Sequence, residues 1–270
     1  MAWASKALGT PANEAVAAVR TGITIESIAT PRAMLEVRQK DFWPACKHDA
    51  DLSDFDNVPL IEGNEIVGVY EREKDAVRGL SETMFTASDA SLLSFVENAD
   101  TRKFVFLVRE NEIVGIVTLS DIQKLPVYCV LYSLLISVEM LLVELIRRAC
   151  RAEPEKWLGY LDRESRRKIE DFWRKSRQEN LTLDRLSCAS FGNELTAAHG
   201  LGLISSDESA TLRRLNGLRD LVSHGKEFAL TLNRALEIPS QVRDALEIQV
   251  VLDQKLKGVK GGVKPLSRTS

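Results

Sequence analysis

The sequence predicts an α+β protein whose α/β first half gives way to an all-helical second half. Three observations carry this reading: a strand–turn–strand motif written twice before residue 124, a long apolar segment starting at Leu125, and the loss of strand signals beyond it. The chain has 270 residues, 44% hydrophobic and 28% charged, which excludes a collagen, a disordered chain or a disulfide scaffold. The length suits about two domains. The net charge of −3 hides an asymmetry, because residues 1–124 carry 13 basic and 20 acidic side chains and residues 125–270 carry 23 and 19. A polyanion would therefore meet the second half.

The repeat is the clearest feature of the first half. Asn64–Gly68 and Asn111–Gly115 both read NEIVG, 47 residues apart, and the flanks Val58–Glu73 and Val105–Ser120 align as well. Each copy reads as an apolar strand, a tight polar turn and a second apolar strand. Helices are expected before each hairpin, over Pro31–Trp43 and Ser88–Asn98. Lys47–Asp56 is long and acidic, which suggests a degenerate first copy.

From Leu125 an apolar helix is expected to run to about Cys150. Its longest uncharged stretch, Leu125–Val138, is 14 residues, and Glu139 and Glu144 then interrupt it. A buried helix fits better than a membrane span. A charged helix over Pro154–Gln178 should follow, with Trp157 and Trp173 in the core and the Arg163–Lys175 charge run as a solvated face. Further helices are expected over Thr182–His199, over Ser206–His224 with Ser205 and Glu208 as a capping box, and from Pro239-Ser240. The expected division is 1–124, 125–257 and a disordered basic tail over 258–270. Cys46, Cys129, Cys150 and Cys188 are scattered, as in a reduced cytoplasmic protein, and no His/Cys or carboxylate spacing suggests a metal. His48 and His199 are expected in loop or surface roles, and the N-terminal sequence lacks a signal-peptide pattern.

The duplicated unit, closing on Gly115–Ile122 (GIVTLSDI), resembles a tandem pair of CBS domains over residues 20–124. That resemblance implies an adenosyl ligand, an adenine nucleotide or S-adenosylmethionine, with Thr118 near phosphate and Asp121 on the ribose hydroxyls. The first copy departs from the pattern, with Glu71 and Lys74 at the corresponding positions, so one site per chain is implied. Thr118 and Asp121 can equally be a helix cap.

In the helical half the pointed cluster is Arg219, Asp220 and His224, within Leu215–Phe228. Gly225 should stop the helix and place His224 in its last turn, one turn beyond Asp220, whose carboxylate could accept from the imidazole. An imidazole beside a guanidinium suits acid–base work on a phosphate. An Arg, a polar residue and a His at this spacing, in an all-helical basic domain, resemble the HEPN family over residues 127–235. The resemblance implies a homodimeric, metal-independent endoribonuclease acting on single-stranded RNA, regulated by the nucleotide, in stress response or defence. No cofactor would be needed for catalysis. Arg219 and His224 lie about 140° apart around a helix, so a partner helix would complete the cleft. The alternative is a non-catalytic ligand-sensing dimerisation or RNA-binding module, with no membrane partner in either case.

Overall fold

The structure, a computed structural model, describes residues 17–259 except 20, 47, 50, 51, 53, 54, 103, 180, 182 and 230. It is α+β, with two small mixed sheets followed in the chain by helices. It divides into two compact units. The α/β unit takes Arg20–Val127 with Ala229–Pro239; the helical unit takes Tyr128–Phe228 and the chain from Ser240, with residues 17–19 counted to it.

In the α/β unit the repeat is structural. One sheet has the order β2 (Arg38–Gln39), β3 (Asn57–Glu62), β4 (Glu65–Glu71), β5 (Ala76–Gly79). The other has β6 (Phe85–Ala87), β7 (Phe104–Arg109), β8 (Glu112–Thr118), β1 (Thr30–Pro31). In each, a parallel pair is followed by two antiparallel ones. The register shift at Leu60/Ile61 recurs at Leu107/Val108, so even the irregularity repeats. Both hairpin turns need a left-handed residue, supplied by Gly63 (φ 62°) in one and by Glu110 and Asn111 (φ 50° and 70°) in the other.

Alternation along the strands, reset by the register shift in each sheet, fixes two apolar faces. Ile66, Val69, Phe104, Phe106 and Ile116 pack together with Met84 into a core drawn from both sheets. On the opposite face of the first sheet, Val58, Leu60 and Tyr70 pack around Leu52. The fourth strand leaves no room for a side chain on its neighbour. A Cβ at Gly68 would lie 2.9 Å from the Arg78 carbonyl, and one at Gly115 would lie 2.7 Å from that of Thr30.

Helices here are short. Leu92–Glu97 (α2) forms as expected, with the Ser91 hydroxyl accepting from Ser94 N–H. The helix expected over Pro31–Trp43 does not form: Arg32–Met34 and Lys40–Phe42 are single 3-10 turns, and only Trp43–Cys46 (α1) is helical. Parallel pairing of Arg38 and Gln39 with Leu60 and Ile61 takes the backbone bonds a helix would need. Much of the acidic Lys47–Asp56 loop lies outside the described residues.

The first helix of the helical unit is α3 (Leu125–Ala149). It is not continuous with the preceding turn, because Lys124 is extended (φ −73°, ψ 148°) and Pro126 sits in the first turn of α3, where its missing N–H costs nothing. By length and composition α3 could cross a membrane, yet 56% of its most apolar window is buried within the fold. It is mostly a core helix. The expected Pro154–Gln178 helix is two elements, a 3-10 turn at Lys156–Tyr160 and α4 (Arg163–Gln178). Asp162 separates them, accepting from Ser165 N–H and hydroxyl at 2.8 Å. Trp157 is buried and Trp173 only half-buried.

Beyond α4, the Leu186–Cys188 turn precedes α5 (Phe191–Gly200), capped by Ser190. The capping box of α6 (Ser206–Ser223) has both of its reciprocal bonds. α7 (Leu232–Val259) starts earlier than expected, with Pro239 inside it. Thr231 caps the residues before the proline, accepting from Arg234 N–H at 3.3 Å. Gly258 and Val259 complete α7, and the remainder of the expected tail lies outside the described residues.

Candidate functional site

The α6 helix presents Leu212, Leu215, Leu218 and Val222 inward, and the same 3.6-residue period sends Arg219 to the flank of the buried face. Gly225 (φ 60°) closes the helix, and the N–H groups of His224, Gly225 and Lys226 bond back to Asp220, Val222 and Leu221. Tyr128 then fastens the exit, its hydroxyl donating to Lys226 O at 3.1 Å and its ring packing edge-on to Phe228. His224 is therefore the C-cap of α6. Its imidazole is exposed and has no partner among the described residues.

Arg219 and Asp220 are tied to each other rather than to the histidine. Arg219 Nη1 donates to Asp220 Oδ1 at 3.3 Å, so the expected carboxylate–imidazole bond is replaced by a carboxylate–guanidinium contact. Arg219 Nη2 reaches Glu139 of α3, 3.3 Å from Oε1 and 3.2 Å from Oε2. The Oε2 contact is an ion pair without hydrogen-bond geometry, because that atom is buried and unbonded.

Below this pair lies Glu194 of α5, 3% exposed. Burial pushes its carboxyl up to about 9, and repulsion from Glu139 adds to the shift, against Arg219 and Arg147. Glu139 is itself raised, by burial first, with Arg219 opposing. Among the described residues, the buried atoms Glu139 Oε2, Glu194 Oε2 and Arg219 Nε have no hydrogen-bond partner. Native interiors rarely leave such atoms unmet, and perturbed acids gather at functional sites. The sequence signals were present but slight: Glu139 interrupts an apolar helix, and Glu194 sits between Phe191 and Leu195.

In the α/β unit, Thr118 and Asp121 form a reciprocal cap on the Leu119–Gln123 turn. Asp121 Oδ2 accepts from Thr118 N–H at 2.6 Å and from its hydroxyl at 3.1 Å, while Oδ1 pairs with Lys124 at 2.7 Å. The side chain is 8% exposed. These are the residue types a ribose and a phosphate would want, but both carboxylate oxygens already serve the chain. At the corresponding place in the first copy, Glu71 pairs with Lys74 and Arg78 and is held below the usual carboxylate range, chiefly by Lys74.

Among the described residues no group of three His, Cys, Asp or Glu side chains is arranged around a metal position. His199 Nε2 lies 3.4 Å from the Ser206 hydroxyl, at the turn between α5 and α6. Comparison of the chain with family models, with curated proteins and with solved structures returned no match.

Proposed function

We propose that the chain is a cytoplasmic, HEPN-like endoribonuclease that cleaves single-stranded RNA without a metal, carrying a CBS-like nucleotide-responsive unit ahead of it. The observation that supports this reading is an exposed imidazole at the end of α6, without a partner among the described residues, with Arg219 five residues earlier and backed by the half-buried Glu139. The 2′-hydroxyl of the substrate attacks the adjacent phosphorus and the 5′-oxygen leaves. His224 takes or returns the proton, and Arg219 faces the charge that builds on the phosphorane. Asp220 holds Arg219 rather than orienting His224.

Because Arg219 and His224 do not share a face, the reading requires a homodimer. The outer stripe of α3 supports one. Cys129 and Tyr132 are exposed, and Ile136, Met140 and Val143 are only half-buried. Wild type should cleave single-stranded RNA in EDTA and leave 2′,3′-cyclic phosphate ends. The substitution His224→Ala should lower the rate by about 10²–10⁴-fold without changing the melting temperature. Equal rates for the two proteins would refute the assignment.

A second reading has its own support: Arg219 is committed to two carboxylates, as in a non-catalytic dimerisation or RNA-binding module. RNA binding without turnover would select it. The nucleotide-sensing part of either reading requires Asp121 to exchange Thr118 and Lys124 for ribose hydroxyls. Calorimetric titration with AMP, ATP and S-adenosylmethionine tests it, and no heat with any of them removes it.

A further inference from the structure

α4 carries seven basic and three acidic side chains, RESRRKIEDFWRKSRQ. Its acids are already engaged. Glu164 pairs with Lys168, Asp171 with Arg174, and Glu170 with both Arg174 and Arg185. Among the described residues Arg163, Arg166, Arg167, Lys175 and Arg177 have no carboxylate partner. The helix thus presents more cation than the chain neutralises.

Beside it runs an open groove of about 550 Å³, lined by Arg166, Arg167, Arg174 and Arg185 with Glu170 and Asp171. One wall is rigid. The Arg185 guanidinium lies 3.8 Å over the Trp173 ring, bonds Glu170 at 2.7 Å and pairs with Glu155. Trp173 is fixed in turn, its indole N–H donating to Leu183 O at 3.0 Å. Arg166 and Arg167 are exposed at the other end. At 1.5 Å per residue they lie about 11 Å along the helix from Arg174, too far for one phosphate to touch both ends. A chain of phosphates can. Guanidinium groups favour phosphate oxygens with paired hydrogen bonds, and their planes stack on bases.

From this geometry we propose that the α4 groove binds the phosphate backbone of single-stranded nucleic acid. The proposal does not depend on cleavage at His224. The test uses the full chain and a short fluorescent 2′-O-methyl oligo(U), which cannot be cut by 2′-hydroxyl attack. Anisotropy titrations between about 50 and 200 mM salt should show affinity falling as salt rises. Arg166→Glu combined with Arg167→Glu should weaken binding about tenfold or more. The slope of log affinity against log salt should flatten by about 0.7 for each phosphate no longer neutralised. The milder pair Arg166→Gln and Arg167→Gln should show the same direction, with an unchanged melting curve. Arg213→Glu, an exposed charge reversal on α6, should bind as wild type. A parallel arm with oligo(dT) separates RNA from DNA as the source of the phosphates. No salt-dependent binding by wild type, an equal loss from Arg213→Glu, or equal displacement by poly-glutamate overturns the proposal.

Discussion

Asp121 and Glu194 are both buried carboxylates, and the fold treats them in opposite ways. Asp121 in the α/β unit is 6% exposed, and its oxygens meet an N–H, a hydroxyl and an ammonium. Glu194 in the helical unit is 3% exposed, and its Oε2 has no hydrogen-bond partner among the described residues. Burial without a hydrogen-bond partner raises a carboxyl, as it does for Glu194, where Arg219 and Arg147 oppose the shift without cancelling it. The difference separates a side chain that closes a turn from one that belongs to an unfinished polar cluster. Among the described residues the cluster holds three buried polar atoms without a hydrogen-bond partner, Glu139 Oε2, Glu194 Oε2 and Arg219 Nε, and Asp121 holds none.

The largest expected effect is on the pH dependence of stability. Glu194 has an ordinary carboxyl value of 4.5 when unfolded and about 9 when folded. Below the lower value both states are protonated and the neutral carboxyl contributes fully to stability. Between the two values only the unfolded chain releases the proton, so stability falls by about 1.4 kcal/mol per pH unit, and above the upper value the loss is complete. Urea unfolding from acid to alkaline pH should show this slope, and Glu194→Gln should flatten it. An unchanged slope in the variant would mean that the carboxyl reaches water and the contrast with Asp121 fails.

Next comes Arg219→Ala, which removes the cation from the half-buried Glu139 and should cost about 1.5–3 kcal/mol by chemical denaturation. The stability of this variant therefore has to be measured before its activity is read. Asp121→Ala should cost about 0.5–2 kcal/mol, the range for removing a helix cap. A much larger loss would make Asp121 part of the core of its unit rather than a cap. The smallest effect belongs to Asp220→Ala, whose contact with Arg219 is exposed and should contribute about 0–1 kcal/mol. A loss well beyond that range would place Asp220 inside the cluster with Glu139 and Glu194.

The α/β hairpins were legible in the sequence because they are local. NEIVG flanked by alternating apolar residues specifies a turn and two paired strands within about fifteen residues. Ser205 and Glu208 announced the start of α6, and Gly225 announced its end, for the same reason. The Pro31–Trp43 helix failed because its apolar spacing carries no record of a strand arriving from Leu60. Likewise Asp220 and His224 share a helix face, but the competing guanidinium of Arg219 lay one residue away and took the carboxylate.

By itself the sequence determined the duplicated hairpins, the apolar α3, the capped α6 and the excess of cations on α4. Each of these depends on backbone preference and side-chain period within a few turns of chain. Only the tertiary structure decided which strand completes each sheet, with β1 lying against β8 although 81 residues or more separate them. It also decided that Glu139, Glu194 and Arg219, from three different helices, come close enough to act on one another's charge, with Glu194 buried. Burial and Coulomb energy depend on distance in space, and three helices packed together bring that distance down where no spacing along the chain reveals it.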